Sequence, residues 1–222
     1  MISTGNDIIA LNTIDISRTE QVNFYSKIIT SSEKTLFDQL KPCSLSFANF
    51  VWLSWSVKES VYKYLHRITP SLVFSPSKIN IKELNIPGPA LLSKFEPDEV
   101  ESIGFNEKAI LKGTVSFSGE LFYFRSTVFQ QVILSVVNNK DDFNHVNWGL
   151  KLIDDSDPAY QSKAVREFVL KKLQHLYPEN DMQIIKSPFG YPVIAKELIE
   201  TDIALSLAHH DCYIAYSFKL SN

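Results

Sequence analysis

The feature that most constrains the fold of this chain is the segment 47–65, which contains neither glycine nor proline. Its apolar residues recur at helical spacing, at Phe47, Phe50, Val51, Val57, Val61 and Leu65. The spacing predicts a helix over 47–64. On it, Trp55, Glu59 and Lys63 share one stripe at i, i+4 and i+8. Lys58 lies directly beside this stripe.

A carboxylate flanked by two lysines suits a divalent cation and a polyanion together. Glu59 can hold the cation, while Lys58 and Lys63 can meet phosphate oxygens that the cation leaves unneutralised. The alternative is a solvated face with ordinary i, i+4 ion pairs. Trp55 is interpreted as a core residue.

An acidic residue near the N-terminus lies in an apolar run. The segment 5–11 is predicted to be a short strand that opens with Gly5 and carries Asp7. A buried aspartate is costly unless it is paired or bound to metal, and the alternative is a turn or cap aspartate.

Two further polar turns lie near the C-terminus. The segment 203–218 is predicted to form two alternating strands around a turn that carries His209 and His210. Glycine and proline in 187–192 predict another turn just before it. The alternative for the histidines is a hydrogen-bonded turn pair without a ligand.

Taken together, these segments resemble the 4'-phosphopantetheinyl transferases. The helix pattern of that family, Trp-x-x-Lys-Glu-[Ala/Ser]-x-x-x-Lys, is matched by Trp55, Lys58, Glu59, Ser60 and Lys63. Four other family segments have full or partial counterparts here, in Gly5-Asn6-Asp7, 24–33, Gly190-Tyr191-Pro192 and Ala208-His209-His210.

The resemblance implies an α+β fold of two similar lobes related by a pseudo-twofold axis. The order of the motifs is that of the short holo-acyl-carrier-protein synthases, whereas the length suits the larger surfactin-synthetase-activating type. A lobe at 1–138, with the acid and the Lys-Glu helix, would precede one at 139–222, with the Gly-x-Pro turn and the histidines. A circular permutation or a fused duplication of the short type would explain this order. The site would then lie between two halves of one chain, which predicts a monomer.

The resemblance also implies an activity and a set of roles. The 4'-phosphopantetheine group of coenzyme A would pass to a serine of an apo acyl carrier protein or peptidyl carrier domain, releasing 3',5'-bisphosphoadenosine. Asp7 and Glu59 would hold Mg²⁺, and Glu59 would act as a base directly or through water. Coenzyme A would be bound by Lys58, Lys63, His209, Gly190 and Lys186, with Lys63 also stabilising the leaving group.

Several positions depart from the family pattern. The second acid of the strand is missing, so water or a distant side chain such as Asp15 would complete the metal site. Tyr191 replaces a lysine, for which Lys186 could compensate, and Ala208 and His210 replace serine or threonine. A rival interpretation is therefore a non-catalytic module that binds coenzyme A or a carrier protein. An unrelated α+β protein with accidental matches is the other alternative.

Composition sets further limits. With 45% hydrophobic and 21% charged residues the chain is predicted to be globular and soluble. Its net charge of −3 argues against nucleic-acid binding, and no apolar run reaches membrane-spanning length. Cys43 and Cys212 form no disulfide framework, which favours the cytoplasm.

The remaining pattern completes the predicted α+β content. Helices are predicted over 19–27, 31–39 and 158–176, and strands over 79–84, 113–117, 121–128 and 132–137. Ser118-Gly119 turns one hairpin. The polar run 138–142 is the predicted seam between the lobes, and Pro87-Gly88-Pro89 a break inside the first.

Overall fold

The structure is a computed structural model that describes residues 4–40, 45–86, 98–179 and 181–220. The predicted break at Pro87-Gly88-Pro89 lies outside the described residues, as does Cys43. The helices are α1 (Ile16–Thr19), α2 (Val22–Tyr25), α3 (Ser31–Asp38), α4 (Phe47–Ile68) and α5 (Pro158–Leu176). The strands are β1 (Gly5–Ala10), β2 (Ile79–Asn85), β3 (Glu99–Ile103), β4 (Leu111–Phe117), β5 (Glu120–Val128), β6 (Val132–Asn138), β7 (Val146–Leu152), β8 (Met182–Lys186), β9 (Pro192–Lys196), β10 (Ile199–Glu200), β11 (Ala204–His210) and β12 (Tyr213–Lys219).

The described strands form three antiparallel sheets. The first has the order β1-β6-β5-β4-β2 and the second β11-β12-β7-β3. The third, β10-β9-β8, carries the turn between β8 and β9. Strand β1 is at one end of the order of the first sheet, so it is an edge strand. It pairs with β6, with Asp7 opposite Ser135.

The two larger sheets and two helices stack in four layers. Helix α4 covers one face of the first sheet, where Val57 and Val61 pack with Ile9 and Ile133. Successive side chains of a strand point to opposite faces, so Ile8 and Leu134 point away from α4. They pack on the second sheet. Helix α5 covers the far side of the second sheet, through contacts that include Val169, Ile214 and Phe218. The predicted α+β class is confirmed.

Most predicted elements are confirmed, and one helix is wrong. Helix α5 spans the predicted residues, and α4 starts at Phe47 as predicted but continues to Ile68. The helix predicted over 19–27 is instead two single turns, α1 and α2, because Gln21 between them is extended, with φ −75° and ψ 135°. Strands β3, β7, β8, β9 and β10 are additional to the predicted ones.

The predicted seam at 138–142 is crossed by strand pairing. Strand β3 precedes the seam, yet it pairs with β7, which follows it. The division into lobes 1–138 and 139–222, and their pseudo-twofold relation, stay predictions. Among the described residues no helix is long and apolar enough to cross a membrane.

Candidate active site

The site begins where helix α4 touches strand β1. Gly5 makes this approach possible, since a Cβ on it would lie 1.9 Å from the carbonyl oxygen of Ser60. The Ser60 hydroxyl hydrogen-bonds to the carbonyl of Ser56 in its own helix and to the carbonyl of Ser135 in the sheet. A glycine facing a small residue therefore brings the backbones together and places the next turn of α4 over Asp7.

Three charged groups meet at this contact. The Lys63 ammonium donates to Asp7 Oδ1 at 2.9 Å and lies 3.5 Å from Glu59 Oε1. The Trp55 indole N–H donates to Glu59 Oε2 at 2.8 Å. The predicted stripe of Trp55, Glu59 and Lys63 is thus a contiguous polar edge, and the structure brings it together with Asp7. We call Asp7, Glu59 and Lys63 the acid–lysine cluster.

Burial controls the electrostatics of this cluster. It raises the pKa of Asp7 to about 6, a shift that Lys63 opposes and Glu59 reinforces. Burial also disfavours the charged form of Lys63, but the carboxylates of Asp7 and Glu59 outweigh it, so the pKa of Lys63 is raised. The second carboxylate oxygen of Asp7 is buried without a hydrogen-bond partner among the described residues. An oxygen left in this state is a place for a cation or a proton.

The donor set fits a magnesium ion that is shared with a ligand. Within the described ranges no three His, Cys, Asp or Glu side chains form a metal-binding group. Mg²⁺ is commonly held by one or two carboxylates together with waters and phosphate oxygens, and Asp7 and Glu59 provide such a pair. The unpartnered Asp7 oxygen is the atom that such an ion would satisfy. Asp15 caps helix α1 by accepting from the Arg18 N–H, so it is engaged elsewhere.

Lys58 requires a correction to the expected set. Its ammonium is fully buried, donating to Glu33 Oε2 at 2.8 Å and to the carbonyl of Ile28 at 2.6 Å. Glu33 also accepts from the backbone N–H groups of Thr30 and Ile81. Lys58 is therefore an internal ion-pair partner that joins α4 to α3 and β2, and phosphate cannot reach it in this structure.

The two predicted histidines differ in surroundings. Both histidines are the last residues of β11 and do not lie in the turn predicted to carry them. The side chain of His209 is exposed at its tip, and partial burial of the ring, followed by the charge of Lys63, lowers its pKa. His210 Nδ1 accepts the N–H of Ala10 at 2.8 Å, so it ties β11 to β1. His209 is the one left available to a ligand.

A groove of about 280 Å³ opens beside the cluster. Its walls come from the last turns of α4, which include Lys63, from the turn 189–192, and from Leu205 to Leu207 of β11. Gly190 turns the chain there with φ +94°, and a Cβ on it would meet Lys186 Cε at 3.7 Å. The structure thus brings Gly190 and the exposed Lys186 to the same rim, with Lys63 in the wall.

Carboxylates and an ammonium beside a groove are features of a protein that handles phosphorylated ligands. The comparisons with known proteins show a family domain: residues 3–111 match the model of the 4'-phosphopantetheinyl transferase superfamily, so the chain carries a domain of this superfamily over that range. The matched range contains Asp7, Glu59 and Lys63, while the turn at Gly190 and the histidines lie beyond it. No curated protein and no solved structure gave a match. The family supports transfer of phosphopantetheine in general, with coenzyme A and a carrier protein as partners.

The sequence did not predict the roles of three residues in this region. Trp55 packs against the core as predicted, but its N–H also donates to Glu59 Oε2, a contact that the i, i+4 spacing of the two residues could have indicated. Glu33 holds Lys58, and the Thr30–Glu33 capping box was its local signal. Arg67 lines the groove and had no signal, since its partners lie more than a hundred residues further along the chain.

Proposed function

We propose that this protein transfers the 4'-phosphopantetheine group of coenzyme A to a serine of an apo acyl carrier protein or peptidyl carrier domain. The reaction would depend on Mg²⁺, be of the holo-acyl-carrier-protein synthase type, and release 3',5'-bisphosphoadenosine. One observation carries the proposal: Asp7 and Glu59 converge on Lys63, which lies in the wall of a groove, and one Asp7 oxygen is unpartnered among the described residues.

The residues around the groove have complementary tasks in this proposal. Lys63 would contact the pyrophosphate and stabilise charge on the leaving group. His209 and Lys186 would contact phosphate oxygens from β11 and from the rim, and Gly190 would let the backbone approach the ligand. Asp7 and Glu59 would hold Mg²⁺, which when bound offsets the negative charge of the phosphoryl groups.

The bonds change at one phosphorus. The serine oxygen of the carrier attacks the β-phosphorus of coenzyme A, and the bond from this phosphorus to the bridging oxygen breaks. The serine proton passes to Glu59, directly or through a water. The hydrogen bond from Trp55 holds Glu59 Oε2, which leaves Oε1 facing Lys63, a residue of the groove wall.

The proposed setting follows the family. The carrier belongs to fatty acid biosynthesis or to a related carrier-based assembly system, and the reaction takes place in the cytoplasm. Nucleic acid and membranes are not partners in this proposal. The acid–lysine cluster and the groove are built from one chain, which supports a monomer that works alone.

A non-catalytic module of the same fold is the second candidate. Its support is specific: Tyr191 and Ala208 stand where the family pattern has lysine and serine. Such a module would bind coenzyme A or a carrier protein without transferring the group. The acid–lysine cluster favours the enzyme instead, because binding alone does not require a buried carboxylate held ready for a cation.

Intact-mass spectrometry of a panel of apo carrier proteins tests the proposal. We expect one carrier to gain one phosphopantetheine group in the presence of this protein, coenzyme A and Mg²⁺. Glu59→Gln and Lys63→Met should each slow the gain by about a hundredfold or more, and Lys171→Met is a matched control on the exposed surface of α5. Bound coenzyme A without any gain would favour the non-catalytic module.

A further inference from the structure

Strands β1 and β11 lie side by side where the two larger sheets meet. Each is the end strand of a different sheet, and the hydrogen bonds that join them involve side chains. Alternate residues of an antiparallel edge strand point their N–H groups away from the paired strand. Asn6 and Ala10 are two such residues of β1, and both are 0% exposed. Their N–H groups therefore need acceptors inside the protein.

Two side chains of β11 supply these acceptors. Ser206 Oγ accepts the N–H of Asn6 at 3.0 Å, and His210 Nδ1 accepts the N–H of Ala10 at 2.8 Å. The two donors are four residues apart, and so are the two acceptors, which means that β1 and β11 run in the same direction here. We call these two hydrogen bonds the edge junction.

The edge junction connects the acid–lysine cluster to the wall of the groove. Asp7 lies between the two anchored residues of β1, and its carboxylate meets Lys63 of α4. On β11, Ser206 is itself a residue of the groove wall. The close approach of Gly5 to Ser60 sets the distance from β1 to α4, and the edge junction sets the distance from β1 to β11.

The bond to Ala10 requires one form of the His210 ring. Nδ1 accepts a hydrogen bond only when it carries no proton, so the ring is neutral and its proton is on Nε2. Partial burial lowers the pKa of His210 against the opposing charges of Asp211 and Glu59, which favours the neutral ring. The family pattern has serine or threonine at this position, so an imidazole acceptor is a departure from it.

We infer that Ser206 and His210 are positioning residues, which hold strand β1 through the edge junction and so keep the Asp7 carboxylate in place beside the groove for a shared cation. The inference rests on the proposed function, because it takes Mg²⁺ to be held by Asp7 and Glu59. Loss of the edge junction would let β1 move while Glu59 stays fixed on α4. Metal binding would then weaken, as it does when the groups that orient metal ligands are removed.

Nuclear magnetic resonance of the metal-free protein tests the edge junction itself. Long-range ¹H–¹⁵N spectra should place the His210 proton on Nε2, and the amides of Asn6 and Ala10 should exchange slowly with solvent. His210→Phe keeps a ring but removes the acceptor, so exchange of the Ala10 amide should become roughly tenfold faster or more. His210→Asn should restore slow exchange, since its Oδ1 can accept in place of Nδ1.

Titration with Mg²⁺ at pH 7 tests the consequence for Asp7. The Mg²⁺ concentration that gives half of the maximal thermal shift should rise about fivefold to tenfold in Ser206→Ala and His210→Phe, and KM for Mg²⁺ in carrier modification should rise by the same factor. Ser217→Ala is the matched control. It removes a buried hydrogen bond to Thr4 outside the edge junction and should leave both values unchanged.

Three results would overturn the inference: a His210 proton on Nδ1, unchanged Ala10 exchange in His210→Phe, or equal Mg²⁺ midpoints in Ser206→Ala and Ser217→Ala. Carrier modification by the wild type, together with an unchanged Mg²⁺ midpoint in His210→Phe, would overturn the positioning role alone. Mg²⁺ binding that depends on the edge junction, without modification of any carrier, would uphold the positioning role and overturn the transferase. A wild type that neither binds Mg²⁺ nor modifies a carrier would overturn both.

Discussion

Helix α4 carries two lysines five positions apart that serve different purposes. Lys58 is sealed in the interior against Glu33, and both side chains are fully buried. Lys63 sits at the wall of the groove between Asp7 and Glu59, with 24% of its side chain exposed. The comparison shows that matching a charge motif does not give each of its residues the same role. Lys58 holds the helix in place, and Lys63 lies in the wall of the groove.

The largest effect on stability is expected from the buried ion pair between Lys58 and Glu33. Lys58→Met leaves the Glu33 carboxylate buried without its counter-charge, which should cost about 3–5 kcal/mol of unfolding free energy in a urea titration. The double variant Glu33→Gln, Lys58→Met removes the orphaned charge and should recover part of that loss. A change below about 1 kcal/mol would show that the pair is not sealed from water.

Lys63→Met should have the opposite profile. We expect kcat/KM for carrier modification to fall by roughly a hundredfold to a thousandfold, because a group that stabilises developing charge is lost. The unfolding free energy should change less than in Lys58→Met, since Lys63 is partly exposed. If Lys58→Met and Lys63→Met lose activity equally under conditions where both are folded, the two lysines do not have the different roles inferred here.

The raised pKa of Asp7 is a third difference between the groove side of α4 and the buried side that carries Lys58. Folding raises the pKa of Asp7 from 3.8 to about 6, so the folded state holds this proton more tightly than the unfolded chain. Its contribution to stability is therefore present below pH 4 and is lost as the pH rises through 6, by at most about 3 kcal/mol.

Asp7→Asn should abolish this part of the pH dependence, which is measured as the difference between the two stability profiles in metal-free buffer. Adding Mg²⁺ at pH 7 should stabilise the wild type and leave Asp7→Asn unchanged. Parallel profiles from pH 4 to 7 would mean that Asp7 titrates normally.

The smallest effect is expected at the tryptophan that orients Glu59. Trp55→Phe keeps an aromatic ring against Phe74 but removes the N–H donor, which should lower kcat/KM about fivefold to tenfold. Trp52→Phe is the matched control, because its N–H bonds Thr19 instead. An equal loss in both variants would assign the effect to packing.

The amphipathic pattern of α4 predicted the helix and the polar stripe of Trp55, Glu59 and Lys63, but not the side of the helix on which Lys58 is buried. Positions 58 and 63 are about 140° apart around a helix. Lys58 lies on the side that faces the core, and Lys63 on the side that faces the groove. That choice depends on Glu33, which belongs to another helix. Similarly, β3 alternates exposed and half-buried residues and β10 has two residues, so neither carries an apolar signal.

The edge position of β1 has a consequence for the order in which the molecule is assembled. Ala10 of this strand bonds His210, 200 residues away, and Asp7 meets Lys63, 56 residues away. Loops this long close late, because their entropic cost precedes any stabilising contact. During synthesis β1 leaves the ribosome before its neighbours β6 and β11 and stays without them until they follow. A chaperone that shields an unpaired apolar strand would therefore act on β1, and the acid–lysine cluster would mature only when the last hairpin arrives.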